Sequence, residues 1–123
     1  MIVSYKDLDV CQLAMNLAED CYRLTRAFPT DERYGLTSQI RRASVSMPAN
    51  IAEGYGRDQT GSYIQFLRVA LGSANELETL LLLSSRLGIT AIERDTAHRE
   101  TVTRVSKMLI SLIWTLESKQ RSK

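Results

Sequence analysis

A single histidine, two cysteines, a pair of nearby serines and a glycine-tyrosine-glycine triplet are the groups in this 123-residue chain with the most evident chemical potential. Each lacks the neighbours that its chemistry needs. His98 has no second histidine to share a metal and no glutamate three residues before it, as a di-iron helix would require, so it reads as a surface residue. Cys11 and Cys21 stand ten residues apart on one predicted helix, roughly 15 Å at 1.5 Å per residue, too far for a disulfide. With apolar neighbours, they read as small hydrophobic core residues. Ser44 and Ser46 have no histidine near them in sequence, and Gly54-Tyr-Gly56 lacks the rest of any phosphate-cradling loop. The expectation is a protein with no catalytic residues, no metal and no cofactor.

The polar residues of 36–57 are a different matter. At 100° per residue, Leu36, Ile40, Ala43, Met47, Ile51 and Gly54 form one apolar stripe of a helix. Gln39, Arg42, Ser46, Asn50, Glu53 and Arg57 run along its edge as a ladder of hydrogen-bonding groups, with Glu53 and Arg57 in the favoured i,i+4 order. Pro48 interrupts the same helix. It removes one amide and crowds the Ser44 carbonyl, which predicts a kink, with Ser44, Ser46 and Asn50 placed to satisfy freed backbone groups. Glu78, set beside Leu67, Leu71, Ala74 and Leu82, reads as a buried carboxylate paired with Arg41, Arg42 or Arg57 that fixes helix register, in preference to a tuned acid or base.

Four helices must position these groups. The first spans about Tyr5 to Phe28 and is broken by Pro29 to Gly35; the second starts near Thr37 as N-cap and ends at Gly54 to Gly61. Ser62-Tyr-Ile-Gln65 reads as a capping box opening a third helix that runs to Leu87, and Thr90-Ala-Ile-Glu93 as another opening a fourth that reaches Ser118. No strand pattern appears. Short connections favour an all-α, antiparallel up-down-up-down four-helix bundle, one domain over 1–123. At 44% hydrophobic, the chain can build a core without disulfides. No signal peptide or membrane-length apolar run is seen, so a cytoplasmic location is expected.

The apolar arcs are wider than one core demands. On the first helix, Leu8, Cys11, Met15, Ala18 and Tyr22 form one stripe and Val10, Leu13, Leu17, Leu24 and Phe28 another. On the fourth, Ile110 and Trp114 sit opposite the Val102, Val105, Leu109, Leu112 and Leu116 stripe. Leu13, Leu17, Ile110 and Trp114 are therefore the candidate interface of a homo-oligomer.

The run from Tyr34 to Gly54, with its Ser-Met-Pro-Ala-Asn-Ile-Ala-Glu-Gly string, and Phe66 to Glu78 resemble the four-helix-bundle family encoded in intervening sequences of bacterial 23S ribosomal RNA genes. The resemblance covers nearly the whole chain and includes Phe28-Pro29. That family is similar to the accessory proteins of diversity-generating retroelements, which present a strongly basic surface to nucleic acid. The resemblance implies a homopentameric ring without enzymatic activity, with Gln39, Arg42, Ser46, Asn50, Glu53, Gly54 and Glu78 matching the family's motif positions.

The net charge is only +2, which fivefold symmetry multiplies to about +10. Arg23, Arg26, Arg33, Arg94, Arg99, Arg104 and Lys107 are the candidate contacts to RNA or DNA. No interleaving of aromatic and basic residues is apparent along the chain, so contact is expected to be with phosphates and weakly sequence-specific. Two readings follow: a nucleic-acid-associated accessory protein, or a scaffold that binds another protein.

Overall fold

A computed structural model describes residues 8–122 of the chain. Helix α1 spans Asp9–Arg26, α2 Leu36–Tyr55, α3 Thr60–Arg86 and α4 Ile92–Arg121, with a short 3-10 turn at Thr30–Glu32 between α1 and α2. Among the described residues there is no strand. The expected start of the first helix at Tyr5 lies outside the described residues.

The helices pack in a closed cycle: α1 on α2, α2 on α3, α3 on α4, and α4 back on α1. Each contributes a stripe to one core, built around Leu17 and Leu24, Ile40, Met47 and Ile51, Leu67, Leu77 and Leu81, and Val102, Val105 and Leu109. Burial of these side chains, worth about 1.5–3 kcal/mol each, is what makes the helices form, since none carries a side-chain N-cap hydrogen bond. The three capping expectations are thereby corrected. Thr37 lies inside α2, Ser62 inside α3, and Thr90 precedes the actual cap, Ala91.

At α2 the capping is done from further away. The Glu32 carboxylate accepts the Leu36 amide at 3.0 Å. It can do so because residue 35 is glycine: a Cβ there would come within 2.7 Å of Glu32 Oε1. A second glycine sets the α2–α3 distance. A Cβ on Gly54 would stand 2.7 Å from Phe66 Cβ and 3.0 Å from Tyr63 Cδ1, so bare backbone is what allows the two helices to cross this closely.

Pro48 is buried inside a continuous α2. The nearby polar groups serve other atoms than those expected: Ser44 Oγ donates to the Arg41 carbonyl at 2.9 Å, and Asn50 Nδ2 donates to the Ser46 carbonyl at 2.7 Å.

Two expectations about buried positions are corrected. Glu78 is exposed, and no ion pair among the described residues includes it. The buried stripe of α3 runs through Ile64, Leu67, Ala70, Ala74, Leu77, Leu81 and Ser84, with half-buried Leu71 packed against it, and leaves 78 on the outer side with 39%-exposed Leu82. Leu17 is fully buried within the protomer and is not available to another copy. Leu13 is half-buried, whereas Ile110 and Trp114 are 54% and 65% exposed, with Val69 of α3 also open at 52%.

Candidate nucleic-acid interface

A furrow runs between α1 and α2, and it begins with the chain reversal joining them. Arg23 and Arg26 occupy the last turn of α1. The chain then crosses Pro29 and the 3-10 turn, so that Arg33 and Tyr34 project as exposed side chains just ahead of the Glu32-capped start of α2. One turn into α2, Arg41 and Arg42 return to the same side.

At this end the furrow opens into a hollow of about 670 Å³, where Arg33, Arg41 and Arg42 converge with Tyr22, Tyr34 and the hydroxyls of Thr37, Ser38 and Ser46. Its lining contains no carboxylate. Tyr22 and Val45 continue the wall into a second hollow of about 510 Å³, where Arg23 and Arg26 face Glu19. Beyond it, Met15, Gln12 and Asn16 line a third. The apolar excess of α1 is partly explained here, because Met15 and Tyr22 line the furrow.

Arg41 is held in place. Its Nε donates to Thr25 Oγ1 at 2.8 Å, an Nη donates to the Tyr22 carbonyl at 3.4 Å, and the guanidinium lies 4.6 Å from the centroid of the Tyr22 ring. Thr25 is itself buried, with its hydroxyl at 2.8 Å from the Cys21 carbonyl. This arrangement ties α1 to α2 and fixes the direction of a cation at the edge of the hollow.

The expected ladder divides into parts. Asn50 and Ser46 are joined at 3.0 Å, and Ser46 Oγ lies 2.7 Å from Ser73 Oγ, which links α2 to α3. Glu53 pairs with Arg57 at 2.5 Å, and the Arg57 guanidinium covers the Phe66 ring of α3 at 4.8 Å. Gln39 and Arg42 are exposed and stand apart from these links, as does Glu78 on α3.

The remaining basic candidates lie elsewhere. Arg94, Arg104 and Lys107 are exposed on α4, with Lys107 beside a separate hollow between α1 and α4. Arg99 has a structural duty: its Nε donates at 2.8 Å to Asp95, a fully buried carboxylate whose Oδ1 has no hydrogen-bond partner. His98 is half-buried, its Nδ1 2.6 Å from the Arg94 carbonyl. Cys11 and Cys21 are buried free thiols, and burial, with Asp20 nearby, pushes Cys21 up to about 12. Among the described residues, no group of three histidine, cysteine or acidic side chains is placed to hold a metal, and no helix is long and apolar enough to cross a membrane.

Sequence reasoning missed Arg41, Arg42, Tyr22 and Tyr34 as surface partners. The aromatic and basic residues do interleave, but across the α1–α2 reversal. In sequence the only signals were the adjacent pairs Tyr22-Arg23 and Arg33-Tyr34.

Residues 6–111 match the model of the 23S rRNA-intervening sequence protein family. The chain is also similar to a crystal structure from Bacteroides thetaiotaomicron, described as a protein of unknown function from the S23 ribosomal protein family. That likeness has a TM-score of 0.77 at 27% identity and covers 85% of this chain and 97% of the other. Comparison with curated proteins finds no match.

Proposed function

Since the chain belongs to the 23S rRNA-intervening sequence protein family, we propose that it is a non-enzymatic, nucleic-acid-associated accessory protein of the cytoplasm that engages the phosphate backbone through the α1–α2 furrow. One observation carries this reading: Arg33, Arg41 and Arg42 converge on a hollow without a lining carboxylate, with Arg23 and Arg26 next along the same furrow. Guanidinium groups suit phosphate because they present a planar fork of donors and stay charged at any physiological pH.

The protomer is read as an antiparallel up-down-up-down bundle. Gly61, at the start of α3, lies against Gln120, near the end of α4, and Arg68 of α3 pairs with Glu117 of α4. The assembled form is read as a homopentameric ring, supported by exposed Ile110 and Trp114 on α4. Such a ring would repeat each furrow and raise the avidity of weak phosphate contacts.

The test is retention of RNA and of DNA by the purified protein as salt is raised. Affinity should fall with a log–log slope of about −0.9 for each duplex phosphate contacted, or about −0.7 for single strands. Changing Arg33 and Arg42 together to Glu should abolish retention, while changing Arg104 and Lys107 should weaken it far less. A protein that retains neither RNA nor DNA at low salt is instead a protein-binding scaffold.

A further inference from the structure

Charge alone does not explain why an exposed tyrosine stands among these arginines. Tyr34 is 88% exposed, far more than any other large hydrophobic or aromatic side chain of the described residues, yet it lines the same hollow as Arg33, Arg41 and Arg42. An aromatic ring left open to water next to three cations, of which Arg41 is held by hydrogen bonds, offers a π-face to a partner that also carries negative charge. Duplex nucleic acid keeps its bases stacked inside; a single strand can present both groups at once.

Resting on the nucleic-acid reading above, we propose that this hollow is a single-strand subsite: Arg33, Arg41 and Arg42 hold one phosphate and the Tyr34 ring stacks on the adjacent unpaired base. The size fits, because the hollow, although open to solvent, offers about 670 Å³, a volume within the range of small-molecule sites. The polar placement fits as well. Thr37 and Ser38, in the first turn of α2, line the hollow and supply hydroxyl donors to phosphate or sugar oxygens.

Preorganisation separates this site from a scatter of surface cations. Arg41 directs two of its donors at Thr25 and the Tyr22 carbonyl, so its guanidinium plane is set before a ligand arrives and its remaining N–H groups are free to bind. Tyr34 lies between Glu32 and Leu36, so its backbone is positioned by the same contact that starts α2. With the arginines on the phosphate and the Thr37 and Ser38 hydroxyls on phosphate or sugar oxygens, the site predicts little sequence preference.

The experiment compares binding of a labelled twelve-nucleotide single-stranded RNA with binding of the corresponding duplex to the full chain, for the parent and for Tyr34→Ala, Tyr34→Phe and Arg42→Gln. Stacking of one base predicts that Tyr34→Ala weakens single-strand binding about tenfold or more while duplex binding changes less than about twofold. Tyr34→Phe should keep the parent's affinity, since the ring and not the hydroxyl stacks. Arg42→Gln should weaken both ligands and make the salt slope shallower by about one phosphate.

Equal losses on both ligands with Tyr34→Ala, or no loss on either, overturn the subsite while leaving the backbone-binding reading intact. Absence of binding by the parent overturns both. Displacement of the labelled strand by millimolar uridine monophosphate as effectively as by unlabelled strand would show a pocket for free nucleotide and overturn the strand assignment. Tyr34 makes no core contact, so unchanged thermal melting of its variants should accompany every result.

Discussion

At the scale of single residues, the side chains that matter most are those whose environment leaves no alternative. Gly54 is one. Alanine normally stabilises a helix relative to glycine by about 1 kcal/mol, yet here its Cβ would press on Phe66 and Tyr63. Gly54→Ala is therefore expected to lower stability by about 1–2 kcal/mol, read as a shift in the denaturant midpoint; a higher midpoint would mean that α2 and α3 separate without cost. Asp95 is another. Arg99→Met, which leaves that buried carboxylate without its cation, should cost about 2 kcal/mol, against less than about 0.5 kcal/mol for Arg104→Met on the same helix. Equal effects would show that Asp95 is solvated.

Titration gives a further residue-scale test. Burial, and then the neighbouring Tyr55 and Cys11, raise Tyr63 to about 12, and burial raises Cys21 to about 12. Both groups are neutral in the fold and ionise more easily once unfolded, so the folded state binds more protons above the ordinary values. Stability should be constant below about pH 9, fall as the unfolded thiols and then tyrosines ionise, and level off near pH 12. Thermal melts across that range check it, and a stability that rises between pH 9 and 11 would contradict it.

Between helices, the readable and unreadable parts of the sequence separate clearly. The apolar stripe of α2 appears in the structure residue for residue, because a 3.6-residue repeat can be satisfied only by a helix lying against a core. Glu78 shows the limit. Its neighbours at 71, 74 and 82 are apolar, but the rotation of α3 is set by tight packing at Gly54 and by small residues Ala70 and Ala74, and a few tens of degrees separates buried from exposed. Helix starts depart from the sequence pattern for a related reason: serine and threonine cap helices in general, whereas here Glu32 reaches over a glycine to cap α2 from four residues away. The furrow itself was only half legible. Arg23, Arg26 and Arg33 could be picked out as cations, but their convergence with Arg41, Arg42 and Tyr34 depends on how the reversal after Pro29 folds back.

For the whole molecule, the proposed ring makes a plain prediction. Light scattering should give a mass near five times 13.9 kDa, and Trp114→Ala should reduce that mass while leaving helical content and melting of the protomer nearly unchanged. A monomeric parent would end the assembly proposal. A Trp114→Ala variant that loses helix and mass together would place the indole in the protomer's own packing.

The closed cycle of helices also implies an order of events in time. Contacts of α1 with α2, α2 with α3 and α3 with α4 join consecutive elements, so each needs only a short loop to close. The α1–α4 contact instead brings together helices separated by most of the sequence. That seam spans the longest stretch of chain, and hydrogen exchange is expected to find it the first to part in a fluctuation short of global unfolding. A copy opened in this way would expose the inner faces of α1 and α4 to an identical neighbour, giving the chain a route to exchange α1 between copies at high concentration.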